Sequence, residues 1–95
     1  MTIDNRGRVE VIGDLLEVAF APSRLEIRDD SHRHAGHVGA QDGRGHFSVE
    51  IVSAAFSGMN ALARHRAVYA ALDAMMTTDI HALAIKARTP GEQDD

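Results

Sequence analysis

Residues 56–76 place the strongest constraint on the fold, because they have the period of a helix and are flanked by runs with the period of a strand. The stretch begins FSGMNALARHRAVY, with a turn expected at Gly58 and an N-cap at Asn60. On a helical wheel, one broad face collects the side chains of Leu62, His65, Val68, Tyr69, Leu72, Met75 and Met76. This stripe predicts a helix packed on a core, with His65 and Tyr69 as structural residues and Arg64 on the opposite face.

A second amphipathic helix is predicted near the N-terminus. Asp4 or Asn5 can cap it, and it is expected to run to about Phe20. Its apolar stripe consists of Val9, Ile12, Leu16 and Ala19. Pro22 ends the helix, because proline cannot continue the backbone hydrogen-bond ladder.

Three runs alternate between apolar and polar side chains, which is the pattern of a strand with one buried face. They are Arg24–Asp30, His46–Ser53 and Ile80–Arg88. The segment 31–45 between the first two holds four glycines and three histidines and has no period. We predict that it is the loop of an antiparallel hairpin formed by these two strands.

The order of the elements predicts the fold class. After the third strand, Thr89-Pro90-Gly91-Glu92 has the form of a capping box with proline at the first helical position, so the tail 89–95 is predicted to start a short helix. The order αββαβ(α) indicates an α/β (α+β) two-layer sandwich, with helices on one face of a three-stranded sheet. A chain of 95 residues is expected to form one domain, 1–95.

Composition excludes several classes of function. The chain has no cysteine, so it cannot form a disulfide, use a thiol in catalysis or build a cysteine metal cage alone. A formal net charge of −4 argues against a general nucleic-acid binder, although local basic patches stay open. No apolar run reaches membrane-spanning length and no secretion signal precedes the domain, which predicts a cytoplasmic protein without membrane contact.

Catalytic motifs are absent as well. The sequence contains no phosphate loop, nucleophile elbow or dinucleotide motif. Asp29-Asp30-Ser31-His32 brings acid, hydroxyl and imidazole together in sequence, but neighbours on an extended chain usually point apart. We therefore predict that the protein is not an enzyme.

Four segments resemble the BolA-like proteins in order and spacing. They read LEIRDDSHRHAGH, HFSVEIVS, FSGMNALARHRAVY and IHALAIKARTPGE, and the resemblance covers roughly residues 8–92. It implies a fold similar to the class II KH domain, without the glycine loop that grips RNA. It also implies a monothiol glutaredoxin as partner, often with a shared [2Fe–2S] cluster, and a role in iron–sulfur trafficking or iron and stress regulation.

The same resemblance implies the ligands of such a cluster. One ligand in the family comes from the loop between the first two strands and the other opens the last strand, which correspond here to His34 and His81. His32 and His37 are alternative loop ligands. The other ligands would be the glutaredoxin cysteine and a glutathione thiol, so the isolated chain is expected to bind no cluster and to be a monomer, with a heterodimer forming on partner binding. Histidine ligation is known from Rieske centres, where it raises the reduction potential.

Residue patterns alone leave other interpretations open. A glycine-rich loop with histidines is usually just a solvated loop, and three such histidines can also bind zinc or nickel adventitiously. His81 shares a face with Leu83 and Ile85, so a buried, hydrogen-bonded histidine is an equal alternative from spacing.

A second functional hypothesis concerns DNA, since some bacterial members of the family are described as transcriptional regulators. Arg64 and Arg66 on the central helix, with Lys86 and Arg88 on the last strand, could contact phosphates. Ordinary solvent-facing charges are the alternative. Strands precede the central helix, so a true helix-turn-helix is not supported.

Overall fold

The computed structural model describes residues 5–31 and 44–92. Its elements are α1 (Asn5–Phe20), β1 (Arg24–Asp29), β2 (Gly45–Val52), a short 3₁₀ turn (Ala54–Phe56), α2 (Ala61–Ala71), α3 (Asp73–Met76) and β3 (Ile80–Arg88). The predicted order αββαβ is confirmed, and each predicted strand begins and ends within one residue of the observed one. The likeness to the class II KH domain stays an implication of the resemblance.

The three strands form one mixed sheet in the order β1-β2-β3. β1 and β2 pair antiparallel, as predicted for a hairpin, whereas β2 and β3 pair parallel through the connection made by α2 and α3. β2 is therefore central, and its residues Phe47, Val49 and Ile51 are almost fully buried. The alternation predicted for β2 places these three side chains on the covered face, because successive strand side chains point to opposite faces.

Helices α1 and α2 lie on that covered face and, with α3, complete a single core. The buried apolar residues are Ile12, Leu16, Phe47, Val49, Ile51, Phe56, Val68, Leu72, Met75 and Ile80. The connection after β2 is fixed by the buried hydroxyl of Ser53, which donates to the carbonyl oxygen of Phe20 at 2.6 Å and accepts from the Ala55 amide at 3.0 Å. The opposite face of the sheet is not covered by either helix.

The prediction for the central helix is correct in position but wrong in rotation. Val68 and Leu72 are buried as predicted, but Leu62 is 57% exposed and His65 is exposed, so His65 is not a core histidine. Arg64, expected on the outer face, has a side chain only 13% exposed. The half-buried residues Ala67 and Ala71 belong to the inner side of α2, whereas the wheel assigned that side to the larger apolar side chains. A similar error concerns Ala19 in α1, which is exposed.

Turns and caps agree more closely with the sequence. Gly58 has a φ of 81°, in the left-handed region that suits glycine. Asn60 caps α2 by accepting the Ala63 amide at 2.8 Å. Residues 89–92 form a turn rather than the expected first turn of a helix, with the Glu92 amide donating to the Thr89 carbonyl at 3.1 Å. Residues 93–95 lie outside the described part of the chain. Within that part, no helix has both the length and the apolarity needed to cross a membrane.

Candidate functional site

His81 is the second residue of β3, at a point where the pairing with β2 is irregular. Gly45 pairs with Ile80 and His46 pairs with Ala82, so His81 is the extra residue between two regular pairs. An irregularity of this kind redirects a side chain. His81 is exposed, whereas Leu83 and Ile85 on the same strand are half-buried. The alternative of a buried core histidine is therefore wrong for His81.

Two side chains at the start of β2 contact the His81 ring. They are Arg44, one residue before the strand, and His46, its second residue. The Arg44 guanidinium nitrogen Nη2 lies 3.1 Å from His81 Nδ1. The His46 ring lies with its centroid 5.0 Å from that of His81, at an interplanar angle of 49°. His46 itself is 8% exposed. The sheet thus presents one accessible imidazole supported by a second, enclosed imidazole and a guanidinium.

The residues that flank the predicted histidine-rich loop, Ser31 and Arg44, both contact residues of this corner. The Ser31 hydroxyl accepts the His46 amide at 3.0 Å, and Arg44 contacts His81 directly. His32, His34 and His37 all lie outside the described residues.

A buried ion pair fixes the strand start on which His81 lies. Arg8 of α1 donates from Nε to Asp79 Oδ1 at 3.0 Å, and the two side chains are 7% and 20% exposed. Partial burial would raise the pKa of Asp79, but hydrogen bonds from Arg8 and Thr78 outweigh it and hold that pKa below its usual range. The Asp79 carbonyl also accepts the Gly45 amide at 2.9 Å, which joins the starts of β2 and β3.

The sequence analysis singled out His81 as a predicted ligand but not Arg44 and His46, which contact it. The signal for His46 was present: parallel strands start at the same end of a sheet, so residues near the starts of β2 and β3 become neighbours. Arg44 gave no signal, because its contact with His81 spans 37 positions and depends on the irregular pairing. Within residues 5–31 and 44–92, no three His, Asp or Glu side chains converge to hold a metal ion.

This corner fits the histidine side of a shared [2Fe–2S] cluster. Its exposed imidazole is a donor that iron accepts. With no cysteine in the chain, any thiolate ligand has to come from elsewhere. Of the predicted ligands, the described residues thus hold one, the exposed imidazole of His81.

The four basic residues predicted for DNA do not converge. Arg64 is held by its own protein: it donates to the carbonyl oxygens of Met59 and Ala87 and pairs with both carboxylate oxygens of Glu92, at 2.6 and 3.0 Å. Arg66 is exposed on α2, in the helical layer. Lys86 and Arg88 have the opposite parity from the covered residues of β3, so they lie on the uncovered sheet face.

The uncovered face carries two of the four predicted cations, Lys86 and Arg88, together with Arg24 and Arg28. One cross-strand row runs from Arg24 through Val52 to Arg88, and another runs from Arg28 through Ser48 to Ala84. Glu26, Glu50 and Lys86 form the row between them. Asp30, just after β1, also lies on this face and accepts a hydrogen bond from the Ser48 hydroxyl, so four cations share the face with three carboxylates. A shallow hollow of about 260 Å³ is lined by the residues Arg28, Ser48, Glu50, Ala84 and Lys86 of this face, with Val49 and Ile85.

Together, the αββαβ order, the mixed sheet and the exposed histidine at its corner define a small two-layer α/β domain. Residues 16–92 match the BolA-like protein family, so the chain belongs to that family.

Named relatives and solved structures agree with this assignment. The chain is 46% identical over 85 residues to an uncharacterized protein of Sinorhizobium, covering 87% of this chain and 91% of that one. It is 40% identical over 80 residues to the DNA-binding transcriptional regulator BolA of Escherichia coli, covering 84% and 73%. The solved BolA domain of SufE1 from Arabidopsis thaliana superposes with a TM-score of 0.81 at 40% identity, covering 90% of this chain and 95% of that one.

Several other relatives are longer than this chain. The chain spans 55% of chloroplastic BOLA1 and 23% of SufE-like protein 1, chloroplastic/mitochondrial, both from Arabidopsis thaliana. BolA-like domains thus occur in proteins of different length and in organelles as well as bacteria. The cytoplasmic location stays a prediction for this chain.

Proposed function

We propose that the chain is an adaptor that binds a monothiol glutaredoxin and completes a shared [2Fe–2S] cluster, in iron–sulfur trafficking or iron and stress regulation. His81 and His34 are its ligands, with His32 and His37 as the alternatives to His34. The partner cysteine and a glutathione thiol supply the remaining ligands. The observation that carries the proposal is the exposed His81 ring at the corner where the histidine-bearing segment 32–43 is tethered.

In this proposal the residues of this chain bind and orient the cluster and catalyse no reaction. Arg8 and Asp79 fix the strand start two residues before His81. His46 packs against the ring of His81 and limits its rotation. When bound, the cluster would supply one-electron redox chemistry or transferable iron and sulfide, and its histidine ligation would raise the reduction potential relative to an all-cysteine cluster.

The test is co-purification with a monothiol glutaredoxin in the presence of glutathione, read by visible absorption and circular dichroism. We expect a spectrum distinct from that of the glutaredoxin homodimer, and we expect His81→Ala to abolish the difference. His65→Ala is the matched control, because it removes another exposed histidine far from the corner. A spectrum equal to that of the homodimer, unaltered by His81→Ala, would refute the proposal.

A second candidate function is DNA binding in transcriptional regulation, supported by the name of the Escherichia coli relative and by the basic residues of the uncovered face. In that case Lys86 and Arg88 act with Arg24 and Arg28, because Arg64 is occupied by Glu92. Phosphate contacts release counterions, so the affinity would fall steeply as salt rises.

Gel-shift titration with promoter fragments at several salt concentrations tests this second function. Arg28→Ala with Lys86→Ala should weaken binding and reduce the salt dependence, whereas Arg66→Ala in the helical layer should change both less. If the pure protein shifts no fragment at low salt, the DNA hypothesis is wrong.

A further inference from the structure

The hydrogen bond between Arg44 and His81 can run in one direction only, from Arg44 to His81. A guanidinium carries only N–H donors, so at 3.1 Å the His81 Nδ1 must accept. A neutral imidazole has one donor nitrogen and one acceptor nitrogen. With Nδ1 as the acceptor, the proton of His81 lies on Nε2.

This hydrogen bond runs in the opposite direction to the one that usually orients a metal-binding histidine. Such a histidine normally donates its second ring N–H to a carboxylate or a carbonyl, which leaves the other nitrogen free for the metal. In His81, Arg44 occupies the lone pair of Nδ1 and the proton occupies Nε2. Moving that proton to Nδ1 would set two donors against each other, so it also requires Arg44 to withdraw.

We propose that Arg44 is a positioning residue that blocks metal ligation by His81 in the isolated chain, and that ligation requires the Arg44–His81 hydrogen bond to break. This inference rests on the proposed function for its biological meaning, since it explains how the site would stay closed until a partner docks. The positive charge of Arg44 also disfavours free divalent cations at His81, because like charges repel.

His46 makes the block effective by limiting where the ring can go. The two rings are packed with centroids 5.0 Å apart, and His46 is itself only 8% exposed. A ring held on one side by a packed neighbour cannot simply rotate away from Arg44. Displacement of Arg44 is therefore the simpler route to a free lone pair on His81.

The first arm of the test measures the proton position in the isolated, ¹⁵N-labelled chain at pH 8, using long-range ¹H–¹⁵N spectra of the histidine rings. His81 is assigned from the signals lost in His81→Ala. We expect His81 to carry its proton on Nε2, and Arg44→Ala to convert it to a mixture of both forms. Arg44→Lys, which keeps a cationic donor, should restore much of the original form, and Arg66→Ala should leave it unchanged.

The second arm titrates the same variants with Zn²⁺ and follows the His81 ring signals. Arg44→Ala should bind Zn²⁺ at His81 roughly 3- to 10-fold more tightly than the unmodified chain, the change expected for the loss of one exposed hydrogen bond. Equal midpoints in both proteins would overturn the inference. A proton on Nδ1 in the unmodified chain, or a proton position unaffected by Arg44→Ala, would overturn it as well.

The third arm adds a glutaredoxin already loaded with a cluster and follows the formation of the mixed species by circular dichroism. Arg44→Ala should form it several-fold faster, because no hydrogen bond has to break first. If the unmodified chain forms no mixed cluster, the proposed function fails, while the first two arms still decide the role of Arg44. If the mixed cluster forms equally fast with and without Arg44, the proposed function stands and the inference fails.

Discussion

The two ends of β3 are each fixed by an arginine from a different helix, but they leave different chemistry exposed. At the start, Arg8 of α1 holds Asp79, and the exposed His81 follows two residues later. At the other end, Arg64 of α2 holds Glu92 in a bidentate pair and also caps the Ala87 carbonyl. The Arg8–Asp79 pair leaves the nearby His81 ring exposed, whereas the Arg64–Glu92 pair leaves the Arg64 guanidinium occupied by contacts within the protein.

The comparison shows that an arginine near a candidate site can serve either the stability of the fold or the function of the site. Arg64 stabilises the fold through the loop before α2, the edge of β3 and the tail, so it is unavailable to a phosphate. Arg44 donates to the His81 ring at the corner of the site, so its removal should change the site more than the stability of the fold. The predictions below test the two anchors of β3, in order of decreasing expected effect, and then the orientation of α2, whereas the role of Arg44 is tested by the experiments above.

The largest effect among the polar contacts is expected at the start of β3. Asp79→Ala takes the carboxylate away from Arg8, whose side chain is 7% exposed, and should lower the free energy of unfolding by about 2–3 kcal/mol. Urea unfolding at pH 7 measures this change. Asp73→Ala, which removes an exposed carboxylate of α3, is the control and should change stability by no more than ~0.5 kcal/mol. Equal losses in the two variants would contradict a structural role for the Arg8–Asp79 pair.

A smaller loss is expected at the other end of the strand. Arg64→Met keeps the apolar stem but removes the hydrogen bonds to Met59, Ala87 and Glu92. Thermal unfolding should show a lower Tm than for Arg66→Met, which replaces an exposed neighbour on the same helix. If both variants melt together, then Arg64 does not fasten the tail, and its availability for DNA has to be reconsidered.

The pH dependence of stability should identify the Glu92 side of this pair. Hydrogen bonds from Arg64 and from the Thr89 amide lower the pKa of Glu92 from 4.5 to about 2. A carboxylate with a lowered pKa in the folded state stabilises fully above its unfolded pKa, and this contribution is lost as the pH falls through the folded value. Glu92→Gln should therefore be less stable than the unmodified chain at pH 6, and the gap should close between pH 4.5 and 2. A constant gap across that range would be inconsistent with an ionised Glu92 in the pair.

Much of this arrangement could be predicted from the sequence, and the remainder could not for identifiable reasons. Strict alternation in β2 predicts its bounds and its covered face, and the cap at Asn60 predicts where α2 begins. The rotation of α2 could not be predicted, because Ala67 and Ala71 become inner-face residues only once the sheet is in place.

The candidate site divides in the same way. His81 was identified from its family motif, but its exposure depends on the irregular pairing with β2, which a single strand does not encode. The partner of its Nδ1 lies 37 residues away in sequence, just beyond a glycine-rich segment without a period. Contacts of this kind follow from the relative register of two strands, so single-sequence patterns predict the strands and leave the contact undetermined.

The smallest effect is expected at His65, which stands next to Arg64 in sequence but takes no part in the pair with Glu92. Its side chain is exposed on α2, so His65→Ala should change the free energy of unfolding by no more than ~0.5 kcal/mol, since surface substitutions away from caps and buried networks rarely cost more. Leu72→Ala, on the buried side of the same helical region, should cost about 2–5 kcal/mol, because it leaves a cavity in the core. Urea unfolding of both variants tests the rotation of α2 directly. Large losses for both variants would restore the orientation expected from the helical wheel, in which His65 and Leu72 share the buried face.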